Sequence, residues 1–478
     1  MTEAFVAPDQ DNRERALDVA RSFIVQAPAG SGKTELLIQR CLALLARVER
    51  PEEIAAITFT VKAAAEMRGR VLEALRRARS SPRPATALGA RTWDLARAAL
   101  ERNDSLGWRL EESADRLKVQ TIDALCASLT RQMPVLSRFG GQPEVIEDAT
   151  ALFAEAARNL LAMVEEPGVE AESVARLLRH LDNDSATAAK LIAEMLARRD
   201  QWLRTLERRT DRESLERALD EVRRFAVEEM LSLWPAGEKC PQLDTDGWIS
   251  QAGAWMTKDG EWRRKDPVAP AAVRAVDAML EAMCAVKNLP PGRYSDVQWD
   301  ALEAMLRVAP LAIAQLQLVF AKHGKADFTE FALRALLALE GDEGATDLML
   351  VLDYRIRHLL VDEFQDTSFT QFRLLELLTS GWEAGDGRTL FVVGDPMQSI
   401  YRFREAEVGL FLRAWREGVG AVALEPVTLS ANFRSQAGIV DWVNGAFPRV
   451  MPTAADARTG AVKYAPSRAV HPEEAQGV

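Results

Sequence analysis

Two short segments far apart in the chain carry residue types that together handle phosphate. Residues 27–34 read Ala-Pro-Ala-Gly-Ser-Gly-Lys-Thr. Gly30 and Gly32 let backbone N–H groups turn inward around an anion, and a helix opening at this point adds its dipole. Lys33 brings positive charge to β- and γ-phosphates, and the Thr34 hydroxyl is a Mg²⁺ ligand. Ala27 stands where the usual phosphate-loop pattern has its first glycine. The bland alternative is a glycine-rich strand-to-helix turn without a ligand, against which the run Gly30-Ser31-Gly32-Lys33-Thr34 speaks. The second segment, residues 358–367, is an apolar run ending in Asp362 and Glu363. At the C-terminal edge of a parallel sheet, where ligands of α/β proteins bind, Asp362 would hold Mg²⁺ directly or through water. Glu363 would orient and deprotonate an attacking water. Acids are common at strand ends, so this pair gains its weight from the phosphate loop.

The elements that must place these groups follow from periodicity. Ser22–Gln26 and Ile54–Phe59 are short apolar runs, each followed by helical spacing, from Thr34 to about Arg47 and from about Lys62 to Arg77. That βαβα order predicts a parallel sheet covered on both faces. From about Gln142 to Asp342, Ala, Leu, Arg and Glu at helical spacing predominate, which predicts a mostly helical insertion. Strand signals return at His358–Val361, Thr389–Val393 and Val427–Ser430. One α/β domain interrupted by a helical one is the simplest account. Within the insertion, Trp255–Lys265 sets a turn-forming Asp259-Gly260 between aromatic and basic flanks. It is either a hairpin touching nucleic acid or a solvated surface hairpin.

Composition narrows the class. The 478 residues suffice for two or three domains, and 48% hydrophobic residues fit a soluble globular core. A net charge of -11 argues against a general nucleic-acid coat, but not against a local groove that grips one strand. Cys41, Cys126, Cys240 and Cys284 lie far apart without CxxC pairing, so neither a disulfide framework nor a zinc site is expected. Met1–Arg15 is polar where a signal peptide needs an apolar core, and no uninterrupted apolar run reaches the ~20 residues that span a bilayer. A cytoplasmic protein without a membrane is the expectation.

Further segments resemble the UvrD/RecB branch of the superfamily 1 DNA helicases. Asp362–Thr367 (DEFQDT) resembles its motif II, and Ile57–Val71 (ITFTVKAAAEMRGRV) its motif Ia. Val119–Cys126 (VQTIDALC) is similar to the TIHxFC-type segment of RecB- and AddA-like members, with Asp123 where a His is frequent. Gly394–Arg404 (GDPMQSIYRFR) resembles motif III, Leu429–Ser435 (LSANFRS) motif IV, and Asp327–Phe331 (DFTEF) the stretch ahead of motif II. The blocks stand in the family's order, and motif III is closer to the RecB/AddA exonuclease V-like side than to UvrD.

The resemblance implies a fold and a set of roles. The fold is α/β: a RecA-like P-loop NTPase sheet interrupted by a helical insertion, with the start of a second RecA-like lobe. The implied divisions are 1–141 and 343–425 for the first lobe, 142–342 for the insertion and 426–478 for the second lobe. The resemblance implies ATP and Mg²⁺ as ligands. Gln398 would sense the γ-phosphate, Arg434 would reach it across the cleft, and Phe433 would lie against the adenine. Gln10 is either the glutamine that reads the adenine edge or a plain helix-start glutamine. Phe59, Tyr401 and Phe403 would stack on bases of single-stranded DNA, or else pack in the core. Thr60 and Thr121 would contact DNA phosphates.

Segments resembling motifs V and VI are not found, and with motif VI goes a second arginine finger. After Trp442 the chain runs through Pro448, Pro452, Pro466 and Pro472 to a polar end, which reads as unfinished or disordered rather than as a sheet. The implied activity is an ATP-dependent 3′→5′ single-stranded DNA translocase or helicase of double-strand-break repair and recombination, present as an incomplete motor. Its partners would be single-stranded DNA, duplex ends and an AddB/RecC-like protein. The alternative is a non-catalytic ATP- and single-stranded-DNA-binding subunit or module that needs a second chain, which the full set Lys33, Asp362, Glu363, Gln398 and Arg434 argues against.

Overall fold

Apolar runs from both halves of the chain pair into one sheet. In the computed structural model the strands are β1 (Phe23–Gln26), β2 (Ile54–Thr58), β3 (Lys118–Thr121), β4 (Glu144–Ile146), β5 (Lys325–Asp327), β6 (His358–Val361), β7 (Thr389–Gly394), β8 (Glu425–Thr428), β9 (Ala431–Gln436) and β10 (Arg468–His471). Six of them form a parallel sheet in the order β3-β2-β6-β7-β1-β8. The structure describes residues 7–132, 143–206, 211–340, 355–399 and 407–471, apart from Asp266, Asp277 and Arg458. All five residues of β2, all four of β6 and all six of β7 are buried. Such unbroken burial belongs to a parallel sheet covered on both faces.

The strand order is what builds the site. After β1 the chain skips two places to make β2, and those places are filled by β6 and β7, which follow the helical unit. The loops after β1, β6 and β7 are thereby neighbours at one sheet edge. Helices α1 (Gln10–Ala16), α2 (Lys33–Leu45), α3 (Val61–Ser80), α4 (Ala87–Ser105) and α5 (Ile122–Gln132) belong to this unit. α2 packs against both α3 and α4, so Leu36, Leu37, Ile38, Cys41, Leu42, Leu44 and Leu45 are all buried rather than one face alone.

The chain divides into two compact units, Met1–Asp148 with Gly324–Val478, and Ala149–His323. The helical unit is thus shorter than the expected 142–342. Its flanks pair as β4 and β5, Glu144 opposite Lys325, and helix Phe328–Glu340 packs on α5. The expected lobe boundary at 426 falls inside β8, whose residues pair from Phe23↔Glu425 to Gln26↔Thr428 as the sheet's sixth strand. Val427, 1% exposed, is part of the core there. The final stretch also departs from expectation. β9 and β10 form a two-stranded parallel sheet. Asn444 on helix Ala437–Ala446 donates to the Ser467 carbonyl (2.8 Å) and accepts from Tyr464 Oη (2.7 Å) and the Ser467 N–H (3.1 Å). One amide thus satisfies the returning backbone that prolines leave without a regular element.

In the helical unit, Asp296–His323 is long and apolar enough to cross a membrane by length and composition. It packs on helices Thr150–Ala162 and Val169–His180, burying Ala304, Val308, Ala309, Ala312, Leu316, Val319 and Phe320. A separate core gathers Val227, Met230, Trp248, Trp255, Met279 and Met283. The Trp255–Lys265 segment is a hairpin, with Met256 paired to Trp262 and Gly260 at φ +80°. Trp255 is buried and Trp262 packs on the same core. Its aromatics therefore pack on the unit's core, while Lys258, Arg263, Arg264 and Lys265 remain at the surface.

Candidate active site

β1 ends at Gln26 and the loop to α2 wraps back on itself. Gly30 and Gly32 take φ +79° and +75°, a region that costs side-chain-bearing residues. Ala27 is 1% exposed and donates its N–H to the Gly394 carbonyl (2.9 Å), so its methyl packs into the core at no conformational cost. Lys33 opens α2 and Thr34 follows in its first turn. Ser31 is 1% exposed, and among the described residues its hydroxyl has no hydrogen-bond partner.

The two acids arrive from β6. Asp362 continues the sheet, its N–H bonded to the Ile57 carbonyl at 2.9 Å. Burial pushes its carboxyl up to about 6, with Lys33 opposing and the charge on Glu363 reinforcing. Adjacent residues of a strand point to opposite faces. Glu363 escapes that constraint by adopting φ +52°, a left-handed conformation rare for a non-glycine residue. Both acids thereby face Lys33: its Nζ is ion-paired with the Glu363 carboxylate and lies 3.8 Å from Asp362 Oδ1.

A residue that the motif reading does not single out completes this corner. Gln365, 2% exposed, donates to Glu363 Oε2 (2.8 Å) and accepts the Asp395 N–H (2.9 Å). It is the glutamine of DEFQDT, so the signal is present, but nothing in the sequence says where its amide points. Asp395 in turn holds the Gln398 amide. Ser399 donates to Asp366 (3.2 Å), which burial pushes up to about 6. The loops after β6 and β7 are one hydrogen-bonded assembly.

β9 closes the other side. The Phe433 N–H donates to the Gly30 carbonyl (2.8 Å) and the Asn432 amide to the Ala29 carbonyl (3.2 Å). Arg434 is exposed beside the loop. A cavity of about 60 Å³ next to it is lined by Gln10, Arg13, Gln39, Leu88, Arg91 and Phe433. Gln10 and Phe433 therefore share one pocket, with the Gln10 amide donating to Glu14 at 3.0 Å. Arg13, Gln39 and Arg91 line it without having been singled out, because single polar residues on three separate helices carry no motif.

The donor set suits Mg²⁺ held largely by phosphate and water. Asp362 and Thr34 offer oxygen ligands, and among the described residues no group of three or more His, Cys, Asp or Glu forms a metal cage. Of the expected DNA contacts, Phe59 and Thr60 follow β2, and Thr121 ends β3, all at the same sheet edge. Thr60 is exposed and its hydroxyl caps α3 by accepting the Ala63 N–H (3.1 Å). Thr121 is 8% exposed and likewise accepts the Ala124 N–H (3.1 Å). Tyr401 and Phe403 lie outside the described residues.

The sequence is similar to known proteins over most of its length. Over 97% of this chain and 42% of the relative, it is 26% identical to an ATP-dependent helicase/nuclease subunit from Exiguobacterium sibiricum. With the protein of the same name from Bacillus mycoides it shares 27% identity over 90% of this chain and 38% of the relative. A Desulfitobacterium hafniense protein of that name is 38% identical over 30% of this chain and 10% of its own length. The chain thus spans about two fifths of the length of the relatives it matches most fully. The sequence model of the UvrD/REP helicase N-terminal domain matches residues 8–417, which takes in the phosphate loop, both acids and the loop after β7. The chain belongs to the UvrD/REP helicase N-terminal domain family.

Proposed function

We propose that this chain is the ATP-driven portion of a cytoplasmic DNA helicase, moving 3′→5′ on single-stranded DNA in double-strand-break repair and recombination, with an AddB/RecC-like partner. The observation that carries the reading is the convergence of Lys33, Asp362 and Glu363 under the strand that bears Arg434. Lys33 binds the β- and γ-phosphates of ATP. Mg²⁺ held by Thr34 and Asp362 would neutralise phosphate charge. Glu363, fixed on a second side by Gln365, accepts the proton of the attacking water. Gln398, in the turn after β7, and Arg434, on β9, would stabilise charge that develops on the γ-phosphate. Phe59 and Thr60 at the same edge serve the DNA strand. The relatives, whose names are those of helicase/nuclease proteins, support this reading.

Segments resembling motifs V and VI are not in this sequence, and an arginine finger supplies about 10³–10⁵ in rate in related chemistry. Of the 478-residue chain alone we therefore expect ATP binding with slow turnover and no unwinding. The test is ATP binding and hydrolysis by the purified chain, with and without single-stranded DNA, beside Lys33→Ala and Glu363→Gln. Lys33-dependent binding with slow, Glu363-dependent turnover supports the reading. Binding indifferent to Lys33 would overturn it.

A further inference from the structure

The groups that hold the phosphate loop against the Arg434 strand are not those that touch phosphate. Asp9 and Arg13 sit one turn apart at the start of α1, 5% and 6% exposed. They form a forked ion pair, Arg13 Nε to Asp9 Oδ1 at 2.7 Å and Nη2 to Oδ2 at 3.1 Å. An ion pair this buried is weak evidence for stability by itself, since desolvation offsets attraction. Its other contacts reach two separate segments, the phosphate loop and β9. Arg13 Nη2 donates to the Ser31 carbonyl (2.6 Å) in the middle of the phosphate loop. The guanidinium lies 5.2 Å from the centroid of the Phe433 ring. Asp9 Oδ2 accepts the backbone N–H groups of Ser430 (2.6 Å) and Ala431 (2.9 Å), where β9 begins. Burial would raise this carboxyl, but Arg13 and the two N–H donors outweigh it and hold it below the ordinary value.

We propose, resting on the nucleotide-site reading above, that Asp9 and Arg13 form a positioning clamp that sets the phosphate loop and the Phe433–Arg434 strand for one nucleotide. The geometry gives the clamp a definite action. In a planar trans peptide the C=O and the following N–H point in opposite directions. Anchoring the Ser31 carbonyl on Arg13 therefore turns the Gly32 N–H away from Arg13, into the loop's concave side where donors for an anion are needed. The same guanidinium fixes the Phe433 ring, and its carboxylate partner fixes the entry of β9. Both act through the loop and the strand that would meet the nucleotide.

The test is the affinity of the full 478-residue chain for a fluorescent ADP with Mg²⁺. Arg13→Lys keeps the charge but not the fork, and Asp9→Asn removes the charge that Arg13 needs. Each is expected to weaken binding about 10- to 100-fold, the scale of a lost charged hydrogen bond. The double variant should bind no more weakly than the weaker single, because the two act as one unit. Leu100→Ala, a core change at 2% exposure toward the other end of α4, is the control. It should lower the melting temperature yet bind like the wild type, which separates positioning from general instability. Should one clamp variant fail to fold by circular dichroism, the other reads the same clamp. Wild-type-like affinity, within about twofold, in the folded variants overturns the clamp alone. A wild type without Lys33-dependent binding overturns the nucleotide reading and the clamp with it.

Discussion

Replacing Gly30 by alanine probes how tightly the phosphate loop is shut against β9. Gly30 and Gly32 both have positive φ, +79° and +75°. An alanine at either costs about 1–2 kcal/mol for the left-handed backbone. Space separates them. A Cβ on Gly32 meets nothing nearer than 3.6 Å, whereas a Cβ on Gly30 falls 2.7 Å from Asn432 Oδ1 and 2.9 Å from Arg434 Cβ. Asn432 cannot swing aside cheaply. Its Oδ1 accepts the N–H groups of Arg434 and Ser435 (2.9 and 2.8 Å), and its Nδ2 holds the Ala29 carbonyl (3.2 Å). Forcing one extra methyl into such a site costs about 1–3 kcal/mol more. Gly30→Ala should therefore be less stable than Gly32→Ala by that difference in urea denaturation followed by circular dichroism. Adding Asn432→Ala should recover part of the loss, because the Arg434 Cβ contact remains. Equal stability of the two glycine variants would refute the packing of β9 on the loop.

Two further predictions concern neighbouring groups. A Cβ on Gly394 would lie 2.5 Å from Gln365 Oε1, so Gly394→Ala and Gln365→Ala should each cut single-turnover hydrolysis of labelled ATP about 10²-fold, the scale of a misplaced catalytic group, with ATP affinity nearly unchanged; a wild-type rate in Gly394→Ala counts against Gln365 as the support of Glu363. His358 is 8% exposed and bonded to Thr389 Oγ1 at 2.8 Å, and burial beside Arg40 and Arg357 holds it down at about 4. The unfolded chain protonates this histidine below about 6.5, so folding stability from this group is intact above that pH and lost as pH falls toward 4, by on the order of 3 kcal/mol. His358→Gln should flatten that part of the urea-midpoint profile between pH 7.5 and 4.5; an identical profile would show that His358 is not kept neutral.

The parts of the molecule legible in the sequence are those dictated by neighbours in the chain. Phe23–Gln26 and Ile54–Thr58 fold as strands because short apolar runs bounded by turn formers have few other ways to bury both faces. Gly30, Gly32, Lys33 and Thr34 announce a phosphate loop because backbone permissiveness, charge and hydroxyl must come in that order within one turn. The acids of β6 read as a partner for the same reason. Residues whose task depends on distant neighbours are not legible: Gln365 stands in a recognisable segment and Asp9, Arg13 and Arg91 in none, and for all four only their neighbours in space show what the side chain does.

By itself, then, the sequence determined most element types, the phosphate-loop pattern and the family, since each rests on spacing within a few residues. Tertiary structure alone decided the rest. It put Glu425–Thr428 at the edge of the main sheet, because Val427 finds its burial against β1 rather than in a second lobe. It sent Trp255 and Trp262 into a core, because indole rings gain more from burial beside Met279 and Met283 than from exposure. It turned Glu363 left-handed to face Lys33 and set an ion pair between the phosphate loop and the strand that carries Arg434. Contacts between residues hundreds of positions apart are fixed by strand order, and strand order is settled by the packing of the whole sheet.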